Sequence, residues 1–220
     1  MQFYKSDLLQ YISGSISDSD LLEQLKELGI EVDQSKKEKN DLLIKLDLTP
    51  NRGDCFSLIG IARDVCAMNN SKLKLPKFKK QKQNLDSKKT VAIDKRACSS
   101  YQGQIIKLKS KGIIPAYIKK TLKAADIGQV NPIVDITNYI MLHTGQPLHA
   151  FDNKKIGKKI YVKFPSKRTK LKLLDGASHE ISKDYLTISD EKKIIALAGI
   201  MGCANSEVDE TTQELSLIHI

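Results

Sequence analysis

The chain has 220 residues, a formal net charge of +10 and a hydrophobic content of 40%. That length allows one large domain or two small ones, and the composition is too apolar and too well patterned for a disordered chain. No apolar run approaches the roughly 18 residues that cross a bilayer, and the N-terminus lacks a signal-peptide pattern, so the sequence predicts a cytoplasmic protein.

The positive charge favours an anionic partner, most simply a nucleic acid. Nearly all of the positive charge is lysine, in a chain that is also rich in Ile, and genome base composition alone can produce that mixture. Both explanations stay open on charge alone.

The cysteines and histidines do not form a metal-binding pattern. Zinc sites need ligands clustered at short spacings, whereas the four cysteines are widely separated and the four histidines form no cluster beside them. We therefore expect no metal site, and we expect buried or incidental thiols at Cys55, Cys66, Cys98 and Cys203.

The first 70 residues predict a small α+β domain. Leucines recur at helical spacing between Leu21 and Leu28, with Asp20 as a capping residue and Gly29 as the stop. Residues 34–40 are a polar break, and residues 41–51 alternate like a strand. Residues 54–70 then predict an amphipathic helix.

A lysine-rich segment, residues 71–89, is expected to be a solvated linker rather than a folded RNA-binding patch, because like-charge runs usually behave so. From residue 90 the pattern changes to short strands at 91–93 and 103–108, followed by a helix that begins at Pro115. Four more strand-like runs follow, at 160–164, 171–174, 186–189 and 194–198. Residues 90–220 therefore predict a mixed α/β domain.

Residues 134–152, VDITNYIMLHTGQPLHAFD, place polar groups inside an apolar run. Such groups cost free energy unless they are hydrogen-bonded, so the stretch is either a well-satisfied turn or a binding site. Taken alone, Thr137 and Asn138 are typical helix caps, and His149 is typical of a turn histidine. His143 is assigned to packing or to the surface.

Glycine and aspartate positions nearer the C-terminus have ordinary explanations when taken alone. Gly199 and Gly202 suit a close backbone approach or a turn. Asp152, Asp175 and Asp190 are expected to form turns.

Three stretches resemble successive signatures of the bacterial phenylalanyl-tRNA synthetase beta chain, in the order that the family has. They are LDLTPNRGDCFSLIGIARDVCAM, NPIVDITNYIMLHTGQPLHAFD and LLDGASHEISKDYLTISDEKKIIALAGIMGCANSEVDETT. The similarity extends over residues 1–214. It implies that the N-terminal domain helps to assemble a heterotetramer with the catalytic alpha chain, and that tRNA-Phe is the RNA partner. It also implies that the alpha chain binds ATP and Mg²⁺ for the ligation reaction and that this chain binds no cofactor.

The same resemblance implies that residues 90–220 are an incomplete editing domain, which hydrolyses tRNA-Phe mischarged with tyrosine. That reaction needs an aligned water, donors for the developing oxyanion and a pocket that recognises the phenolic hydroxyl. Thr137, Asn138 and His149 align with the catalytic and substrate-binding residues of the family's editing pocket, and Gly199 aligns with its glycine-lined wall.

The sequence departs from the family at two places. The family inserts a tRNA-binding OB-fold where this chain has only residues 33–41, which are too few for a five-stranded barrel. A glutamate thought to recognise the tyrosyl hydroxyl falls on Ile218, and the closing LSLIHI does not resemble the family. We therefore expect an N-terminal portion of a truncated or misread product, without the C-terminal part of the family.

Two other functions stay open on the sequence alone. The chain could be a stand-alone deacylase that acts in trans on mischarged tRNA, or a structural module whose pocket performs no chemistry. The N-terminal assembly-type domain argues against the first, and Ile218 at the glutamate position argues for the second.

Overall fold

A computed structural model describes residues 1–78, 89–110 and 112–219, and the chain divides into two compact units. Unit 1 comprises Met1–Lys80 and Ile113–Pro147, and unit 2 comprises Gln81–Gly112 and Leu148–Ile220. The predicted domains, 1–70 and 90–220, do not follow this division, because residues 113–147 belong to unit 1.

Unit 1 contains a three-stranded antiparallel sheet and five helices. The strand order is β1-β3-β2. The elements are β1 (Gln2–Tyr4), α1 (Lys5–Leu9), α2 (Asp18–Glu27), β2 (Glu31–Glu38), β3 (Asp41–Asp47), α3 (Leu58–Met68), α4 (Ala116–Ala124) and α5 (Pro132–Thr144).

The helix that the leucine spacing predicts is present as α2, with Leu21 and Leu25 fully buried. Its cap is not Asp20 as predicted: the side chain of Ser17 accepts a hydrogen bond from the Asp20 backbone N–H at 3.0 Å. Gly29 ends the helix with a φ of +72°, a backbone conformation that favours glycine.

The predicted polar break at residues 34–40 is wrong, because most of it lies in β2. This strand pairs along β3 from Glu31 to Glu38, and a turn at Lys39 and Asn40 joins the two strands. Most side chains of β2 are exposed, so the strand leaves no apolar alternation in the sequence and depends on backbone pairing. The short turn leaves no room for an inserted barrel, as the sequence predicts.

Residues 113–147 join unit 1 through buried polar contacts with α1 and the residues that follow it. The Thr121 hydroxyl donates a hydrogen bond to the Asp7 carboxylate at 3.0 Å. The Tyr11 hydroxyl lies 2.6 Å from Nδ1 of His143. These contacts join residues more than 100 positions apart, so local sequence patterns could not reveal them.

Unit 2 is built almost entirely from strands. A five-stranded sheet has the order β12-β11-β10-β7-β4, a second sheet has the order β5-β13-β6, and β8 pairs with β9. The strands are β4 (Thr90–Ile93), β5 (Gly103–Lys107), β6 (Leu148–Asp152), β7 (Lys159–Lys163), β8 (Thr169–Lys172), β9 (Ser178–Ile181), β10 (Thr187–Ser189), β11 (Ile194–Leu197), β12 (Met201–Gly202) and β13 (Glu214–His219). The predicted mixed α/β class is confirmed for the chain as a whole.

The three aspartates predicted to form turns do so. Asp152, Asp175 and Asp190 each accept a hydrogen bond from a backbone N–H two residues further on, at 2.7 to 2.9 Å. Such bonds mimic a backbone turn and fix the ends of the short strands.

Only the ends of the predicted linker, residues 71–89, can be described, since residues 79–88 lie outside the described residues. At its start, the Lys74 backbone N–H donates to the carbonyl of Tyr11 at 2.8 Å. At its end, the ammonium group of Lys89 donates to the carbonyls of Ile156 and Gly157. Each end is therefore attached to a compact unit. Within the described part of the chain, no helix is long and apolar enough to span a membrane.

Candidate functional site

A cavity of about 250 Å³ opens within unit 2. Most of its lining is apolar, from side chains of β7, β10 and β11, and the other lining residues include Cys98, Tyr101, His149, Gly199, Gly202 and Ile218. Sites for drug-sized ligands usually measure roughly 300–1,000 Å³. This cavity therefore suits a small group, such as one amino-acid side chain.

His149 lies on β6 at the wall of the cavity. It pairs in register with Ile218 on β13, and its ring meets the Phe151 ring edge-on with 4.4 Å between centroids. Among the described residues, no side chain or backbone group bonds to its ring nitrogens. Its hydrogen-bonding capacity is therefore available to a bound molecule or to water.

Burial lowers the pKa of His149 to about 4. The apolar surroundings disfavour the charged imidazolium, and no carboxylate contributes to the shift. The ring is therefore neutral at pH 7, and it can donate one hydrogen bond and accept another. A neutral imidazole in this position can orient a water molecule by accepting a hydrogen bond from it, whereas its low pKa makes it a weak base.

Gly202 holds the His149 ring in place by close approach. A Cβ atom at residue 202 would clash with Cε1 of His149, so any other side chain would displace the ring. Gly199 turns the chain at the cavity wall with a φ of +71°. The sequence suggested a close backbone approach at Gly202, but the partner, His149, lies far away in sequence and could not be identified from it.

Ile218, at the predicted glutamate position, lines the cavity and is only 2% exposed. The strand register places it beside His149. Its side chain offers no hydrogen-bond acceptor, so Ile218 cannot bind a hydroxyl group.

The other two predicted site residues, Thr137 and Asn138, lie on α5 in unit 1 and do not line the cavity. They are not the helix cap: Asn131 accepts hydrogen bonds from the first backbone N–H groups, and Thr137 donates to the carbonyl of Val134 within the helix. The cap interpretation is therefore wrong for both residues, and their role in a pocket stays a prediction.

Tyr101 and Cys98 line the cavity although no sequence motif singled them out. Burial raises the pKa of the Tyr101 phenol, so it stays protonated and can donate a hydrogen bond. The Cys98 thiol donates to the carbonyl of Ser100 at 3.2 Å. Both residues come from the loop after β4, which carries no apolar periodicity that would have placed it beside a pocket.

In unit 1, Asp54, Cys55 and Asp64 bring potential metal ligands together. The Arg52 guanidinium already bonds to both carboxylates, at 2.9 Å for Asp54, and holds the pKa of the Asp54 carboxyl down to about 2. An arginine in this position satisfies the negative charge that a cation would otherwise neutralise. The cluster is therefore explained as an ion-pair network.

Comparison with known proteins gives matches over nearly the whole chain. Residues 97–219 match the family model described as "B3/4 domain". The "Phenylalanine--tRNA ligase beta subunit" of Rhodopirellula baltica is 35% identical over 214 residues, which are 96% of this chain and 31% of that protein. The protein of the same description from Photorhabdus laumondii is 40% identical over 192 residues, or 86% of this chain and 24% of that protein. The chain thus spans less than a third of the length of these relatives.

A solved structure also matches, at a lower level. It is an N-terminal fragment of the phenylalanyl-tRNA synthetase beta-subunit from Pyrococcus horikoshii, with 21% identity and a TM-score of 0.49. The match covers 100% of this chain and 67% of that one. A similarity this weak adds nothing to what the sequence relatives establish.

Proposed function

This chain belongs to the B3/4 domain family, and from that membership we propose that it is a portion of a phenylalanine–tRNA ligase beta subunit whose unit 2 hydrolyses mischarged tRNA. The proposed substrate is tyrosine esterified to tRNA-Phe. The proposed partner is the alpha chain, which would form a heterotetramer with the beta subunit in the cytoplasm and would carry out the ligation with ATP and Mg²⁺.

One observation carries the proposal: a cavity of about 250 Å³, with an unpartnered histidine at its wall, lies inside the segment that the family model matches. The aliphatic lining suits an aromatic ring, which gains free energy when its apolar surface leaves water. The neutral imidazole of His149 would orient the attacking water by accepting a hydrogen bond from it as the tetrahedral intermediate forms. The phenol of Tyr101 would offer a hydrogen bond to the substrate.

Selectivity between tyrosine and phenylalanine is expected to be weak in this chain. The Ile218 side chain offers no hydrogen bond to a tyrosyl hydroxyl, so this residue gives the tyrosyl ester no advantage over the phenylalanyl ester. Tyrosyl and phenylalanyl esters should then be hydrolysed at similar, slow rates.

The test is to incubate the purified chain with Tyr-tRNA-Phe and with Phe-tRNA-Phe and to follow deacylation of each. Slow hydrolysis of both esters at similar rates, above the rate without protein, would support the proposal. A rate equal to the uncatalysed one would favour a structural module instead. A strong preference for the tyrosyl ester would show that the hydroxyl is recognised by a group other than residue 218.

A further inference from the structure

A second concave surface of unit 2 lies on the other side of the five-stranded sheet from the cavity. This groove measures about 560 Å³ and is lined from β7, β8, β10 and β11. Successive side chains of a strand point to opposite faces. In β10, Ile188 lines the cavity, whereas its neighbours Thr187 and Ser189 line the groove.

The groove is strongly basic. Five lysines line it, against two carboxylates: Lys163, Lys167, Lys170, Lys192 and Lys193 against Asp190 and Glu191. Both carboxylates are already occupied by backbone N–H groups: Asp190 accepts from residues 157, 192 and 193, and Glu191 accepts from residue 159. These hydrogen bonds leave both carboxylates charged, so they offset two of the five lysine charges and the groove keeps a net positive charge.

Three of the lysines have no ion-pair or hydrogen-bond partner for their ammonium groups among the described residues. Among the described residues, Lys167, Lys170 and Lys192 form no ion pair and donate no side-chain hydrogen bond. Lys193 is different, because its ammonium group donates to the carbonyl of Asn205 at 2.7 Å. The three unpaired ammonium groups are available to an anionic ligand.

The groove also carries an exposed aromatic ring and a polar floor. Phe164 is 40% exposed and lines the groove beside the lysines. Beneath the groove surface, the buried Ser189 hydroxyl has no hydrogen-bond partner among the described residues, and the Thr187 hydroxyl donates to the carbonyl of Lys163. Proteins bind single-stranded nucleic acids with positively charged side chains along the path of the phosphate backbone. They add aromatic rings on which the bases stack.

We propose that this groove is a binding site for single-stranded RNA, with phosphodiester groups on Lys167, Lys170 and Lys192 and a base stacked on Phe164. The site is separate from the cavity, and it does not depend on whether the cavity hydrolyses an ester. An acidic peptide would satisfy the lysines but would leave the exposed ring without a stacking partner. The groove therefore fits RNA better than a protein.

The test measures binding of a fluorescent oligouridylate of about eight nucleotides, a typical length for such sites, by anisotropy over a range of salt concentrations. The groove variant K167Q/K170Q/K192Q removes three charges. The control variant K95Q/K107Q/K183Q removes three exposed charges from the same unit, outside the groove. Each lost phosphate contact lowers the slope of log affinity against log salt by about 0.7.

We expect the groove variant to bind at least tenfold more weakly than the control variant and to lose about 2 from the salt slope, which corresponds to three contacts. Phe164→Leu should weaken binding about fivefold or more through lost stacking, with the slope unchanged. Equal losses in the groove and control variants would overturn the proposal, because binding would then follow net charge alone. Displacement of the RNA by polyglutamate as readily as by unlabelled oligouridylate would overturn it as well, since it would show a site for any polyanion.

Discussion

Two histidines from the same short stretch of sequence, His143 in unit 1 and His149 in unit 2, have opposite surroundings. His143 is 2% exposed, and its Nδ1 is hydrogen-bonded to Tyr11. Its ring lies against the rings of Tyr11 and Tyr139, with centroid distances of 5.6 and 4.1 Å. His149 lies at the wall of a cavity, and no described residue bonds to its nitrogens.

The comparison shows that burial and a shifted pKa do not identify a functional histidine. Burial lowers the pKa of both residues to about 4. What differs is the hydrogen-bond partner and the space beside the ring. A ring enclosed by side chains contributes to packing, whereas a neutral ring that faces an open cavity can act on a ligand.

Replacing the two histidines by alanine should lower the free energy of unfolding by very different amounts. His143→Ala removes an enclosed ring and leaves the Tyr11 hydroxyl without its partner, so it should lower the free energy of unfolding by about 3 kcal/mol. His149→Ala, beside an existing cavity, should cost about 1 kcal/mol. Urea denaturation followed by circular dichroism measures both, and Tyr11→Phe, a control that keeps the His143 ring packed, should cost about 1 kcal/mol. Equal losses for the two alanine variants would contradict the comparison.

A second effect concerns pH, and here the two histidines should behave alike. A histidine in an unfolded chain has a pKa near 6.5, whereas both rings have a pKa of about 4 in the fold. Between these values the unfolded chain binds more protons, so stability should fall as the pH falls from about 6.5 to about 4. Above pH 7 the two groups should add no pH dependence. Urea midpoints at pH 7 and pH 5 measure the effect, and midpoints that do not change would show that the rings are not held neutral.

A third effect tests the close approach that holds His149 in place. Gly202→Ala puts a Cβ atom against the imidazole, so deacylation should fall about tenfold as the ring moves from its position. Gly128→Ala is the matched control, because a Cβ atom there meets nothing within 4 Å. If both variants kept full activity, the orientation of the ring would not matter to the reaction.

A fourth effect tests the apolar wall that Ile218 forms. Ile218→Glu supplies a hydrogen-bond acceptor beside His149, so the tyrosyl ester should be hydrolysed faster than the phenylalanyl ester, by a factor on the order of ten. Ile218→Leu, which changes shape without adding an acceptor, should leave the two rates similar. A tyrosyl preference that is the same in both variants would mean that residue 218 does not face the hydroxyl.

Much of the fold could be predicted where side chains carry a pattern. The leucine spacing of α2 and the alternation of β3 follow from burial of one face, and both elements are present. Most of the strand β2 could not be predicted, because its exposed side chains carry no alternation. The division into units could not be predicted either, since it depends on contacts such as Thr121 with Asp7 that join distant segments.

The candidate site could be predicted only in part. The resemblance selected His149 and Gly199, and both line the cavity, although their roles stay predictions. It also selected Thr137 and Asn138, which lie on a helix of unit 1. Tyr101 and Cys98 were missed because they come from a loop, where no spacing rule connects a residue to a pocket formed by distant strands.

If His149 acts on an ester bound in the cavity of unit 2, single-turnover deacylation of Tyr-tRNA-Phe should depend on its ring. His149→Ala should slow hydrolysis about tenfold or more, the scale expected for losing one positioned polar group. Tyr11→Phe, which removes the partner of the enclosed His143, should leave the rate unchanged. If His149→Ala hydrolysed the ester as fast as the unaltered chain, the account of the cavity as an editing site would be contradicted.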